Sequence, residues 1–363
     1  MSTWSIIRGT EDPALNSALC DELLKRLNRH QLMSPSDVSV MRRIILDCDP
    51  GHDDAFAILL AAKHLDVLGI TTVGGNQLLE KVTINALKVL EVAGLTHIPV
   101  YPGHSHPMIS DLVTAPQFHG ESGMDGPVLP YPSIKAQSRH AVDFIVDTVM
   151  STDDVTLVAT GPLTNIASAI NRERRIVDRV REISLMGGSV TYGNWTPAAE
   201  FNIFADPEAA CRVFNSGIHI KMCGLNLTRQ AFATTQELKH IQGIGNRVSR
   251  FCVDLLTFFI ESSSRAAGLN GTNLHDPCAV AWLIDPTLIK AADMHVVVET
   301  KGEFTRGMTV CDYRHLRGPE PSIDLHRTPT MSHRGKEPNS EAALELDVER
   351  FFRLLYDTIR EYP

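Results

Sequence analysis

The run Asp47-Cys48-Asp49-Pro50-Gly51-His52-Asp53-Asp54 constrains the fold more than any other part of the chain. Ahead of it, Ile44-Ile45-Leu46 is short, apolar and β-branched, a pattern that predicts a buried strand. Behind it, Ala55, Ile58, Leu59 and Ala62 recur at helical spacing, so a helix begins near Asp53. Pro50-Gly51 supplies the turn between them. Asp47 and Asp49, two residues apart, leave the strand on one face. Asp53 and Asp54 fall in the first helical turn, where the positive end of the helix dipole favours anions.

That dipole does not balance the charge. It contributes roughly 0.3–1 kcal/mol per anion, whereas two like charges about 4 Å apart repel by roughly 4 kcal/mol at an intermediate dielectric. Either some of the acids hold protons or a cation sits among them. All the donors are oxygen, which suits a hard ion such as Ca²⁺ or Mg²⁺ and does not suit zinc. Solvated acids capping a helix are the alternative for a single aspartate. Four carboxylates within eight residues, at the end of a strand, point instead to a metal or catalytic site. An EF-hand is excluded by spacing: the twelfth residue from Asp47 is Ile58 rather than Glu, and a strand comes first rather than a helix. A phosphatase of the haloacid dehalogenase type also opens with Asp-x-Asp after a strand. It typically has Thr or Val two places after the second Asp, where this chain has Gly51. A phosphate-accepting receiver domain is much shorter than this chain.

Further strands are predicted at residues 66–74, 97–100, 155–159, 183–186, 218–223, 295–299 and 307–311, and helices at 83–93, 250–262 and 342–359. The alternation predicts an α/β fold, an open and mostly parallel sheet flanked by helices. Several strands run into turns, namely Gly74-Gly75-Asn76, Thr160-Gly161-Pro162, Gly187-Gly188 and Gly224-Leu225-Asn226. Open α/β sheets take their ligands at such carboxyl ends. The run Ser262-Ser263-Ser264, with Gly268 and Asn270-Gly271 after it, reads as a mobile flap before His275. His104, His106 and His119 share one loop, but their spacing fits no zinc pattern. His104 and His106 read as solvated.

Taken together, these stretches closely resemble the signature of the inosine-uridine-preferring nucleoside hydrolases. The resemblance rests on residues 45–54, Val73-Gly74-Gly75-Asn76, His119-Gly120-Glu121-Ser122-Gly123 and Thr160-Gly161-Pro162-Leu163-Thr164-Asn165. It continues through Leu185-Met186-Gly187-Gly188, Ala199-Glu200-Phe201-Asn202, Asp206-Pro207-Glu208-Ala209 and His275-Asp276-Pro277. It covers roughly residues 43 to 316 and the closing helix. It implies a Rossmann-like core and hydrolysis of the N-glycosidic bond of ribonucleosides. By the same resemblance Asp49, Asp54, Asp276 and the main-chain oxygen of Thr160 are Ca²⁺ ligands, and Asp49 is also the base that takes the water's proton. Asp53, Asn76 and Asn202 resemble the groups on the 2′- and 3′-hydroxyls, Asn194 and Glu200 those on the 5′-hydroxyl. His119 falls near the base site, and His275 resembles the general acid, a task suited to a side chain titrating near neutrality. Asp47 becomes support for these groups. Well-described members grip the base with an aromatic side chain and an Arg on the flap; Ser262 to Asn273 holds no Tyr, Trp or Phe, so base preference stays open.

The rest of the chain sets bounds on this reading. Its 363 residues correspond to about two domains on length alone, but no composition break interrupts residues 43–310, which favours one large α/β domain. Residues 1–40 form an N-terminal extension with helical spacing from Leu19 to Leu32, and residues 317–341 read as a long polar loop. A net charge of −9 without a basic stripe argues against a nucleic-acid partner. No apolar run reaches the roughly 18 residues of a membrane span, and the N-terminus lacks a signal peptide's apolar stretch. Seven cysteines without a C-x-x-C pair fit reduced thiols in the cytoplasm. The resemblance further implies a homodimer or homotetramer. Two rival functions remain: a ribonucleoside-binding protein without turnover, and a metal-dependent phosphohydrolase with Asp47 as nucleophile. Against the second, no Lys or Arg accompanies the acidic cluster in sequence.

Overall fold

The computed structural model describes residues 41–312 and 337–363. The expected helix from Leu19 to Leu32 and residues 317–336 of the expected loop lie outside the described residues. The chain divides into Met1–Met41 and Arg42–Pro363, and the second unit carries everything below.

Eleven strands are described: β1 Arg43–Cys48, β2 Asp66–Thr72, β3 Val100–Pro102, β4 Val155–Ala159, β5 Val180–Met186, β6 Ile220–Cys223, β7 Phe232–Ala233, β8 Thr272–Asn273, β9 Ile289–Val298, β10 Thr309–Asp312 and β11 Ser340–Leu346. Nine of them form one sheet in the order β10-β9-β11-β6-β5-β4-β1-β2-β3, and β7 pairs with β8 apart from it. From β3 across to β11 every pairing is parallel; β9 and β10 close the edge antiparallel. The mostly parallel α/β sheet expected from sequence is therefore present.

Both sheet faces are covered, as a parallel sheet requires. Ile44, Leu46 and Cys48 point into one apolar layer with Phe56, Leu60, Leu255 and Trp282. Ile45, between them, points into the other with Ile145, Ile166 and Val213. The strand's two-residue period thus puts Asp47 on the Ile45 side. The order 3-2-1-4-5-6 reverses direction between β1 and β4. Crevices open at such reversals, just beyond the carboxyl ends of the two strands.

Several boundaries depart from the sequence reading. The strand expected at 97–100 lies at Val100–Pro102, since Leu95–Ile98 is drawn into a turn by the Ile98 N–H donating to Leu95 O. The helix expected at 342–359 is β11 followed by a helix at Val348–Arg360, and β11 also takes the last two residues of the expected loop. Glu-Ala-Ala-Leu-Glu-Leu favours helix locally. The space between β6 and β9 makes it a strand by pairing on both edges. Ser262-Ser263-Ser264 is not part of a flap, because helix Arg247–Ala267 runs through it. Ser262 and Ser263 are buried and satisfied: Ser262 Oγ donates to Phe118 O (2.6 Å), and Ser263 Oγ shares a hydrogen with Thr272 Oγ1 (2.9 Å). The helix stops at Gly268, whose φ of +68° is the left-handed conformation glycine adopts freely.

Candidate active site

A cavity of about 630 Å³ opens at the β1/β4 reversal. Its lining includes Asp53, Asn76, His119, Thr160, Asn194, Glu200, Asn202, His275 and Asp276. Asp49 and Asp54, fully buried, lie beneath. Residues separated by more than two hundred positions are thus gathered by the ends of β1, β4 and β5 and by the turn before helix Pro277–Ile284.

Carboxylate oxygens of Asp53, Asp54 and Asp276 lie within 4.8 Å of one another. Asp54 Oδ1 accepts from Thr160 Oγ1 (2.7 Å), and its Oδ2 accepts from the Gly51 N–H (2.9 Å). Asp49 Oδ2 accepts from the Asn76 N–H (2.6 Å), while its buried Oδ1 has no partner among the described residues. The resemblance names Asp49 where this trio has Asp53. Burial raises all these carboxyls, and mutual repulsion adds to it: Asp53 reaches about 7, and Asp49 and Asp276 lie well above the usual carboxylate range. An all-oxygen, overcharged and partly orphaned donor set fits a hard divalent cation.

The main chain holds Asp49 closely. A Cβ at Gly75 would stand 2.0 Å from Asp49 Oδ2 and 2.8 Å from Pro162 Cδ, and one at Gly161 would stand 2.6 Å from Asp49 Oδ1. Gly75→Ala is therefore expected to push the carboxylate aside. A shift of about 1 Å in a reacting group can cost roughly 10²-fold. Steady-state kinetics beside a circular dichroism spectrum checks it: kcat falls on that scale while the fold is kept.

Asp47 lies one layer back, its Oδ1 accepting from Thr71 Oγ1 (2.5 Å) and Asn165 Nδ2 (2.8 Å), and burial raises it to about 7. Asn165 also holds the neighbouring loop through the His104 N–H (2.9 Å). Asn202 Nδ2 donates to Thr160 O (2.8 Å) and Met186 O (3.1 Å), so it fixes the same carbonyl that the resemblance gives to the metal. Glu200 accepts from three main-chain N–H groups, those of Gly188 (2.9 Å), Asn202 (2.9 Å) and Ile203 (3.2 Å). It thereby pins the double-glycine turn to helix Phe201–Ala205, and burial raises its carboxyl to about 7. Asn194 Oδ1 accepts from the Phe201 N–H (2.9 Å) across the same corner.

The histidines form two groups. His275 Nδ1 meets Thr228 Oγ1 at 2.7 Å, which leaves Nε2 as the other ring nitrogen available to a ligand. Burial first, and then the nearby Arg229 charge, lowers His275 to about 4, below the near-neutral value expected from sequence. His119 meets the buried His52, Nδ1 to Nδ1, at 3.2 Å, and His52 Nε2 meets Asp125 O at 2.7 Å. His52 stacks on Phe258 and Phe259. Burial beside a second imidazole holds His119 neutral.

Sequence reasoning missed the aromatic wall and Arg229. Phe118, Tyr192, Trp195, Phe232 and Phe259 line the cavity, so the rings absent from residues 262–273 come from other elements. Arg229 lines it as well, a cationic residue at the cavity whose charge reaches His275. Its only sequence signal is its position just past the turn that ends β6.

Comparisons with known proteins show the family and the fold. The family model for inosine-uridine preferring nucleoside hydrolase matches residues 44–353. A pyrimidine-specific ribonucleoside hydrolase RihA of Escherichia coli K12 is 42% identical over 323 residues, spanning 88% of this chain and 98% of the relative. RihA of Shewanella baltica is 44% identical over 325 residues, 88% of this chain and 97% of the relative. Among solved structures, a purine-preferring ribonucleoside hydrolase from Gardnerella vaginalis superposes with a TM-score of 0.78 at 34% identity, covering 88% of this chain and 98% of that one. Fold and site define a ribonucleoside hydrolase, an enzyme that cleaves N-glycosidic bonds. The chain belongs to the inosine-uridine preferring nucleoside hydrolase family. Among the described residues no helix is long and apolar enough to cross a membrane.

Proposed function

We propose that the chain hydrolyses pyrimidine ribonucleosides to free base and ribose with the help of Ca²⁺. The buried aspartate trio on the floor of an aromatic-walled cavity carries the reading, and the pyrimidine-specific relatives support the choice of base. Asp49, Asp54, Asp276 and the main-chain oxygen of Thr160 would hold the ion. Such an ion lowers the pKa of a bound water and clasps vicinal hydroxyls.

The protein's own groups supply the rest. Asp49 takes a proton from the attacking water, its free Oδ1 being the acceptor. Asp53, Asn76 and Asn202 orient the 2′- and 3′-hydroxyls, and Asn194 and Glu200 the 5′-hydroxyl. His275, with Nδ1 held at Thr228 Oγ1, presents Nε2–H to the departing base, and His119 lines the base side. The aromatic wall excludes water from an oxocarbenium-like ribose. Assembly as a homodimer or homotetramer in the cytoplasm belongs to the same reading.

A panel of uridine, cytidine, inosine and adenosine, followed by reducing-sugar release and base chromatography, tests it. Uridine and cytidine are expected to yield ribose fastest. Tight riboside binding without ribose release would favour the binding-protein alternative, and phosphate release from nucleotides the phosphohydrolase.

A further inference from the structure

Arg229 lines the cavity and carries an unmet hydrogen-bonding capacity. Its Nη2 donates to Gly193 O (2.8 Å), and Cζ sits 4.1 Å from the centroid of the Tyr192 ring. Nη1 is buried and has no partner among the described residues. The Arg229 main-chain oxygen accepts from Asn273 Nδ2 (2.9 Å), which ties the residue to the strand that leads into His275. Its sequence neighbour Thr228 holds the His275 ring. A buried charged donor without an acceptor costs at least about 1–3 kcal/mol, so such a donor persists where a ligand completes it. Arginine, unlike histidine, keeps its charge across the working pH range.

We infer that Arg229 is a catalytic and specificity-determining residue: its free Nη1–H donates to the carbonyl oxygen bonded next to the glycosidic nitrogen of a pyrimidine base. The inference rests on the reading under Proposed function. In a 2-oxopyrimidine riboside that carbonyl is attached to the carbon beside N1. When the C1′–N1 bond breaks, its electron pair passes to N1 and is shared with this oxygen. Arg229 holds that negative charge and transfers no proton. The water oxygen forms the new bond to C1′ and loses its proton to Asp49. The base takes a proton through His275, which is replenished from solvent. In a purine, N9 is flanked by C8–H and by C4, neither of which bears a carbonyl, so the same donor has no equivalent oxygen. A fixed donor aimed at developing charge is worth most in a water-excluded site.

The test compares Arg229→Met with the unaltered full chain on uridine and on 4-nitrophenyl β-D-ribofuranoside, whose leaving group is a stable anion without help. A hydrogen bond to a charged group is worth roughly 10- to 150-fold in rate. The uridine kcat/KM is expected to fall on that scale while nitrophenyl riboside turnover is little changed. Arg229→Gln, which keeps a donor for Gly193 but loses the charge, gives the same contrast should the Met chain fail to fold. Equal losses on the two substrates, or an unchanged uridine value, overturn the assignment. So does turnover of uridine 5′-monophosphate that depends on Arg229 more than uridine turnover does, since that would give the guanidinium to a phosphate. An unaltered protein that cleaves neither riboside overturns the parent reading, and this one with it.

Discussion

Asp49→Ala is expected to remove riboside turnover and divalent-cation binding together. Loss of a positioned general base alone lowers kcat by roughly 10²–10⁴-fold. Here the same carboxylate is also assigned to the ion, so the fall should reach the upper end of that range. The structural reason is the placement of its two oxygens. Oδ2 is held by the Asn76 N–H, and Oδ1 is buried and has no partner among the described residues, beside the Gly161 main chain. Alanine also leaves the Asn76 N–H without its acceptor, a destabilisation of about 1–3 kcal/mol. A thermal melt would separate that cost from the catalytic one. Near-normal turnover in a variant that still binds the ion would show that Asp49 plays neither part.

Removing divalent ions is expected to silence the enzyme altogether, and adding Ca²⁺ back to restore it. Four buried carboxylates converge at the site, and none has an Arg or Lys ion-pair partner among the described residues. Without a cation, repulsion is relieved by protonation, and burial already favours the protonated forms of Asp53 and Asp276. A protonated Asp49 no longer accepts a proton from water, so loss of the ion disables the base as well. Bound ion also stabilises the folded chain, by about 2.7 kcal/mol when its concentration is a hundredfold above Kd. Chelator titration followed by both ribose release and melting temperature checks the two consequences. Turnover indifferent to exhaustive chelation would remove the metal from the proposal.

The two residues that best separate local from non-local information are Asp54 and Arg229. Asp54 belongs to a run whose meaning is local: a strand, a tight turn and the first turn of a helix follow from residues 44–62 alone. Crowding of acids in that run is visible to charge arithmetic without coordinates. Arg229 has no such signature. Its place at the cavity arises because β6 ends beside β5 and β11, and Gly193 engages one nitrogen while the other has no partner among the described residues. The aromatic wall belongs with it, since Phe118, Trp195 and Phe259 come from three separate segments.

The amino-acid sequence by itself determined the β1–turn–helix unit, the turns at several strand ends, the acidic cluster and the family. Each depends on neighbours within a few positions or on motifs that survive as words. Only the tertiary structure decided that Glu341–Leu346 is a strand rather than helix, that Ser262 and Ser263 are buried in a helix, and that the distant Asp276 gathers with Asp53 and Asp54. It also decided that Arg229 lines the cavity. Those outcomes turn on pairing partners, on burial and on which hydrogen-bonding groups are left without mates. Such quantities are sums over residues far apart in the chain, and no local stretch contains them.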